Sequence, residues 1–127
     1  MPVHWTISHP TRLVVVVAKD GVHLADIEAY LDGVVVNDAL PYRKLFDMTN
    51  ATLHLSDDDM MALGARIRAY ATTSSTETMG PLAIVAATTS AHEQARLFTA
   101  LADAKRPIKI FREPHAARKW LDGLTGS

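Results

Sequence analysis

The chain has 127 residues, 48% of them apolar, with a formal net charge of −1 and no cysteine. That length suits a single domain spanning residues 1–127, with a core large enough to stand without metal or disulfide help. The absence of cysteine excludes disulfides, thiolate catalysis and cysteine zinc sites, and a charge near zero argues against a general nucleic-acid binder.

The elements follow in chain order. Val3, Trp5 and Ile7 alternate with His4, Thr6 and Ser8, the period-two pattern of a half-exposed strand. After the turn His9-Pro10-Thr11, Leu13 to Ala18 is a continuous apolar, β-branched run that suits a strand covered on both faces. The short link predicts an antiparallel hairpin, and Asp20-Gly21 predicts the end of its second strand. Leu24, Ile27, Leu31 and Val34 recur at helical spacing, with Asp26, Glu28 and Asp32 off the stripe. Leu40-Pro41 precedes a strand from Tyr42 to Met48, which leads into a polar loop.

Ser56 closes that loop as an N-cap, and Asp57, Asp58 and Asp59 complement the positive end of the helix dipole. Met60, Leu63, Ile67 and Tyr70 are the buried face of this helix. Thr72 to Gly80 has no periodicity and is expected as a surface loop. Leu82 to Ala87 is a second fully apolar strand. Ser90 and Glu93 have the spacing of a capping box, opening a helix that buries Ala91, Ala95, Phe98 and Leu101. Ile108 to Phe111 is a short strand, and Pro114 sits in the first turn of a last helix with the stripe Ala117, Trp120, Leu121 and Leu124.

The order β-β-α-β-α-β-α-β-α predicts an α/β fold, because strands alternating with helices pair in parallel through right-handed crossovers. The expected sheet is mixed and five-stranded, mostly parallel, with the first strand antiparallel at an edge. The runs at 13–18, 42–48 and 82–87 are too apolar for an edge and belong in the centre. The strand Val3 to Ser8 has no internal proline or charge to block pairing, so its free edge, or a neighbouring helical face, is where a homodimer would form. Charge is split along the chain: residues 1–60 carry nine acids against four basic side chains, and residues 61–127 nine basic against five acids. Solvated helix faces account for that split, and an acidic face meeting a basic one in a dimer is the alternative.

The carboxyl ends of parallel strands form the rim where α/β folds place ligand sites. Here that rim is expected to collect Asp20, Thr88, Thr89, Ser90 and His115, with Lys19, Thr49, Asn50, Ser56 and Glu113. The helix start at Thr88-Thr89-Ser90 is the better anion candidate, since the three aspartates would repel an anion at the other. No two of the six histidines stand four apart, so no metal site is expected. His115 and Glu113 have no nucleophile elbow near them, and the scattered glycines form no phosphate loop. The expectation is no enzyme and no cofactor. No apolar run approaches the roughly 18 residues of a membrane span, and the N-terminus lacks a basic region followed by an apolar one, so a soluble, cytoplasmic protein is expected. Met60, Met61 and Met79 with Val34, Val35 and Val36 exceed what one stripe per helix needs. They are either surplus core or the lining of a groove between the first two helices. Gly33 and Gly64 lie in those helices, for close packing or for a gate.

This order, with Leu45-Phe46-Asp47-Met48-Thr49, Pro107 to Arg112 and Trp120-Leu121, resembles the STAS family of anti-sigma-factor antagonists, and more closely the small bacterial SpoIIAA-like proteins described as STAS/Sec14-like. The resemblance covers nearly the whole chain. It implies a non-enzymatic regulatory or protein-interaction module, or a small apolar-ligand or lipid binder of Sec14-like type. It also implies a partner or switch loop at Asn50, Ser56, Asp57, Asp58 and Asp59. One departure stands out. STAS antagonists carry an Asp-Ser-Ser-Gly-like sequence where a serine is phosphorylated, whereas this chain reads Leu55-Ser56-Asp57-Asp58, with the phosphorylatable position near Asp57. A phosphate there would add about two charges beside three carboxylates. The stretch therefore reads as a permanently acidic surface without the usual phosphoserine switch.

Overall fold

A computed structural model describes residues 2–73, 79–102 and 106–124. The strands are β1 (Val3–Ser8), β2 (Leu13–Val22), β3 (Arg43–Leu53), β4 (Leu82–Val85) and β5 (Ile108–Phe111). Between and after them come the helices α1 (Leu24–Val36), α2 (Asp57–Thr73), α3 (Thr89–Ala102) and α4 (Pro114–Asp122). The five strands lie side by side in chain order, β1-β2-β3-β4-β5. β1 is antiparallel to β2, from Val3 opposite Ala18 to Ser8 opposite Leu13, and every later pair is parallel. The expected topology is therefore the observed one, with β1 at an edge and β2, β3 and β4 inside.

Three successive right-handed crossovers in one direction put three helices on one face. There Val14, Val16 and Ala18 of β2 pack with Leu31 and Val34 of α1, Leu63 and Ile67 of α2, and Ala91 and Ala95 of α3. The odd positions point the other way: Leu13, Leu45, Ala83 and Val85 bury against Ala117 and Leu121 of α4. Cover of β2 on both faces is incomplete, because α4 packs on β3, β4 and β5 and leaves Val17 45% exposed.

Four local expectations are corrected. Asp20-Gly21 does not end β2. The strand passes through a register shift between Val17 and Lys19 and continues, with Asp20 opposite Ala51 and Val22 opposite Leu53. Asp20 takes a left-handed φ of 61° there, a conformation aspartate tolerates better than most residues. β3 correspondingly runs past Met48 to Leu53, so Thr49 and Asn50 are strand and not loop. The capping box at Ser90 and Glu93 is not formed, since α3 starts at Thr89 and the Thr88 hydroxyl accepts the Ala91 N–H at 3.1 Å. In the stretch expected as a loop, Thr72 and Thr73 are helical and Met79 and Gly80 are buried. The rest of it, 74–78, lies outside the described residues.

Both helix glycines are explained by close packing. A Cβ on Gly33 would stand 2.8 Å from the Trp5 indole, and one on Gly64 would stand 2.9 Å from the Leu101 carbonyl oxygen.

Candidate functional site

The acidic turn is built as a reciprocal cap. The Ser56 hydroxyl accepts the Asp59 N–H at 3.1 Å, and the Asp59 carboxylate accepts the Ser56 N–H at 3.0 Å. This Ser-x-x-Asp pair satisfies two N–H groups that the helix start would otherwise leave open. Asp59 is thus occupied by α2 itself, whereas Ser56, Asp57 and Asp58 are exposed. Asn50 does not belong to this turn; it stands within β3 opposite Lys19.

The expected rim is not assembled as one site. Asp20 is held in the β2–β3 ribbon, which extends past the last β3–β4 pair, Asp47 and Val85. The Thr88 hydroxyl is spent on its cap, Thr89 and Ser90 are exposed in the first turn of α3, and His115 is exposed in the first turn of α4. Since α4 lies across the sheet from α3, His115 is separated from the threonines. Among the described residues no hydrogen bond or ion pair joins Asp20, Thr88, Ser90 and His115. No cluster of three or more metal-ligating side chains occurs among the described residues either.

A concave feature among the described residues lies beneath the three helices. A cavity of about 80 Å³ separates the sheet from α1, α2 and α3. β3 supplies its floor: Lys44, Phe46 and Met48 alternate onto the helix-covered face, and Leu45 turns to the other. Tyr30, Leu31 and Val34 of α1, Met60, Leu63 and Ile67 of α2, and Ala95 and Phe98 of α3 form its walls. Met60, Met79 and Val34 from the apolar surplus face this space, while Met61, Val35 and Val36 point to solvent. Arg66 spans the α1–α2 seam, donating to the Glu28 carbonyl at 3.3 Å and pairing with Asp32 at 3.2 Å.

One end of this apolar space is basic. Lys44 is 3% exposed, and its side-chain nitrogen donates to the carbonyls of Leu40 and Tyr42, the latter at 2.7 Å. Arg106, just ahead of β5, also lines the cavity. It donates from Nη1 to the Gly80 carbonyl at 3.1 Å, and its Nε is buried with no hydrogen-bond partner among the described residues. Burial pushes Lys44 down to about 6, and the nearby Arg106 guanidinium pushes in the same direction. Burial lowers Arg106 to about 10, with Tyr30 opposing the shift. Burial raises the Tyr30 phenol, against the pull of Arg106. No carboxylate, imidazole, thiol, serine or threonine is among the lining residues.

Sequence reasoning placed the helical walls and overlooked Lys44, Arg106 and Tyr30. A signal existed for Lys44, since alternate residues of a strand share a face and Lys44 shares its face with Phe46 and Met48. Arg106 gave none, because its burial depends on where the end of α3 and the start of β5 meet the helix layer.

No family model matches the chain, and no curated protein does. Among solved structures, an uncharacterised protein of the DUF3478 family from Shewanella loihica PV-4, described as having a SpoIIAA-like fold, superimposes with a TM-score of 0.61. The match covers 94% of this chain and 93% of that one at 17% identity. The fold of the present chain is thus SpoIIAA-like, an α/β module with a mixed five-stranded sheet. No helix among the described residues is long and apolar enough to cross a membrane.

Proposed function

We propose that this protein is a non-enzymatic binding module of STAS type that holds a small apolar ligand in the cavity between α1, α2, α3 and the sheet. The observation that carries this reading is the cavity itself, walled almost wholly by aliphatic, methionine and phenylalanine side chains. Protein interiors are normally packed without voids of this size, and apolar cavities stay dry and accept apolar guests. At about 80 Å³ it takes a segment of a few carbons. A longer chain needs α1 and α2 to part along the seam that Arg66 spans. The lining offers no carboxylate, imidazole, thiol, serine or threonine, and its Lys44 amine is tied to two backbone carbonyls, which favours binding over turnover.

Native mass spectrometry of the protein purified from its own host tests the reading, with Ala95→Leu as the control. Ala95 is buried and lines the cavity, so the larger side chain fills the space. The expected result is a retained low-mass ligand on the natural protein and none on a folded Ala95→Leu variant. An apo mass together with no uptake of any added apolar probe would overturn it.

A second reading is favoured by one observation: Asp57 and Asp58 are exposed at the start of α2 and form no ion pair among the described residues. They suit a protein partner presenting basic side chains. Replacing both with asparagine is expected to weaken such a partner while leaving cavity binding unchanged. Full partner affinity after that change would place the interaction elsewhere.

A further inference from the structure

We infer that the ligand of the cavity is a monocarboxylate with an apolar tail, its head group held between Lys44 and Arg106; this rests on the cavity-binding reading above. Two basic side chains line one end of an apolar space, and no carboxylate among the described residues pairs with either of them. Burial disfavours the protonated form of Lys44, and the neighbouring Arg106 guanidinium disfavours it further. An anion between the two completes the buried guanidinium charge and offsets both effects on the amine.

The donors are arranged for one. Protonated, the Lys44 ammonium spends two of its three N–H groups on the carbonyls of Leu40 and Tyr42, which leaves one. Arg106 has its buried Nε–H unspent among the described residues. Two open donors match the two oxygens of a carboxylate, which can accept from both. The basic groups are confined to this end, and Gln94 elsewhere in the lining is tied to the Leu53 carbonyl. Along β3 the floor continues as Phe46 and Met48, and the wall beyond is Ile67 and Phe98, which is where a tail would lie.

A consequence follows for protons. An anion beside Lys44 favours its charged form, so burial of the head group draws a proton from solvent onto the amine. A neutral ligand of the same tail draws none.

Isothermal titration calorimetry of the intact protein with butanoate, butan-1-ol and butyl phosphate, whose chains match a space of a few carbons, tests this. Titrations run at pH 7.5 in two buffers of different ionisation enthalpy. Butanoate is expected to bind at least tenfold more tightly than butan-1-ol, with uptake of up to one proton. Lys44→Met is expected to remove that preference and the proton uptake, and Arg106→Met to remove the preference. If a variant does not fold, the proton count on the natural protein decides alone. Butan-1-ol binding as tightly as butanoate, with no proton uptake, overturns the head-group assignment and leaves the apolar-cavity reading standing. Tighter binding of butyl phosphate overturns the carboxylate in favour of a phosphorylated head group. No binding of any of the three overturns both readings.

Discussion

At the scale of single residues, Lys44 makes the strongest claim on solution behaviour. Its folded-state pKa, about 6, lies below the ordinary lysine value of about 10.4. The fold therefore disfavours the protonated amine. The resulting destabilisation is fully present below pH 6 and is relieved as pH rises from about 6 towards the ordinary value. In that window the unfolded chain binds one more proton, so stability should rise by up to about 1.4 kcal/mol per pH unit from this group. Urea unfolding of the apo protein at pH 6.5, 8 and 9.5 should show the rise, and Lys44→Met should flatten it. An equally steep profile in the variant would refute the assignment. Ser56 is simpler: Ser56→Ala should cost about 1 kcal/mol through the lost cap, and Asp58→Asn should cost a few tenths through the dipole alone. Equal losses for the two would mean that the hydroxyl is not the cap. The cap was legible in the sequence because capping is local, a matter of side chains three residues apart. The cation pair was not, since Lys44 and Arg106 are far apart in the chain and meet only through the packing of β3 against the end of the helix layer.

At the scale of elements, α1 and α2 show how two opposed effects are decided. Alanine in place of Gly33 would gain roughly 1 kcal/mol of helix propensity. The new Cβ would stand 2.8 Å from the Trp5 ring, however, and overpacking of that kind costs about 1–3 kcal/mol. Gly33→Ala should therefore destabilise by roughly 1 kcal/mol net, read as a lowered thermal midpoint, and Gly33→Ala with Trp5→Leu should recover it. A raised midpoint in the single variant would show that Trp5 yields freely. The amphipathic stripes of α1 and α2 were legible because period and burial agree in them. The ends of β2 and β3 were not. Asp20-Gly21 has the composition of a turn, and Thr49-Asn50 that of a loop. The two stretches stay extended because each supplies the hydrogen-bonding partner of the other, with Lys19 opposite Asn50 and Gly21 opposite Thr52. Mutual pairing of two weak strands is not visible in either one taken alone.

At the scale of the whole molecule, one ion pair draws on the split in charge along the chain: Asp32 of the acidic half meets Arg66 of the basic half. The Arg43–Asp122 pair at 3.8 Å joins the minority charge of each half and does not reduce the split. The edge of β1 is a different matter: it has β2 on one side only, and no proline or charge interrupts residues 3–8. Unprotected edges recruit further strands, and a lysine on the edge opposes it, so sedimentation at high micromolar concentration is expected to show a dimer, and Thr6→Lys, at an exposed position of β1, to weaken it. A monomer at every concentration would remove the edge from consideration.

The order of the strands in space, β1 to β5 as in the chain, has a consequence for how the protein is made. Each new strand adds beside the one synthesised just before it, and each helix folds back over a pairing that already exists. No strand has to wait for a distant partner to leave the ribosome, nor be inserted between two that have already joined. Every pairing then closes over one hairpin or one crossover and never over a longer span, which keeps the entropic cost of each closure near the least a parallel sheet allows. Elongation at about 5–20 residues per second leaves time for the β1–β2 hairpin and the α1 crossover to settle before β4 emerges. The growing sheet then exposes one advancing apolar edge at a time, until α4 swings across to the opposite face and closes it.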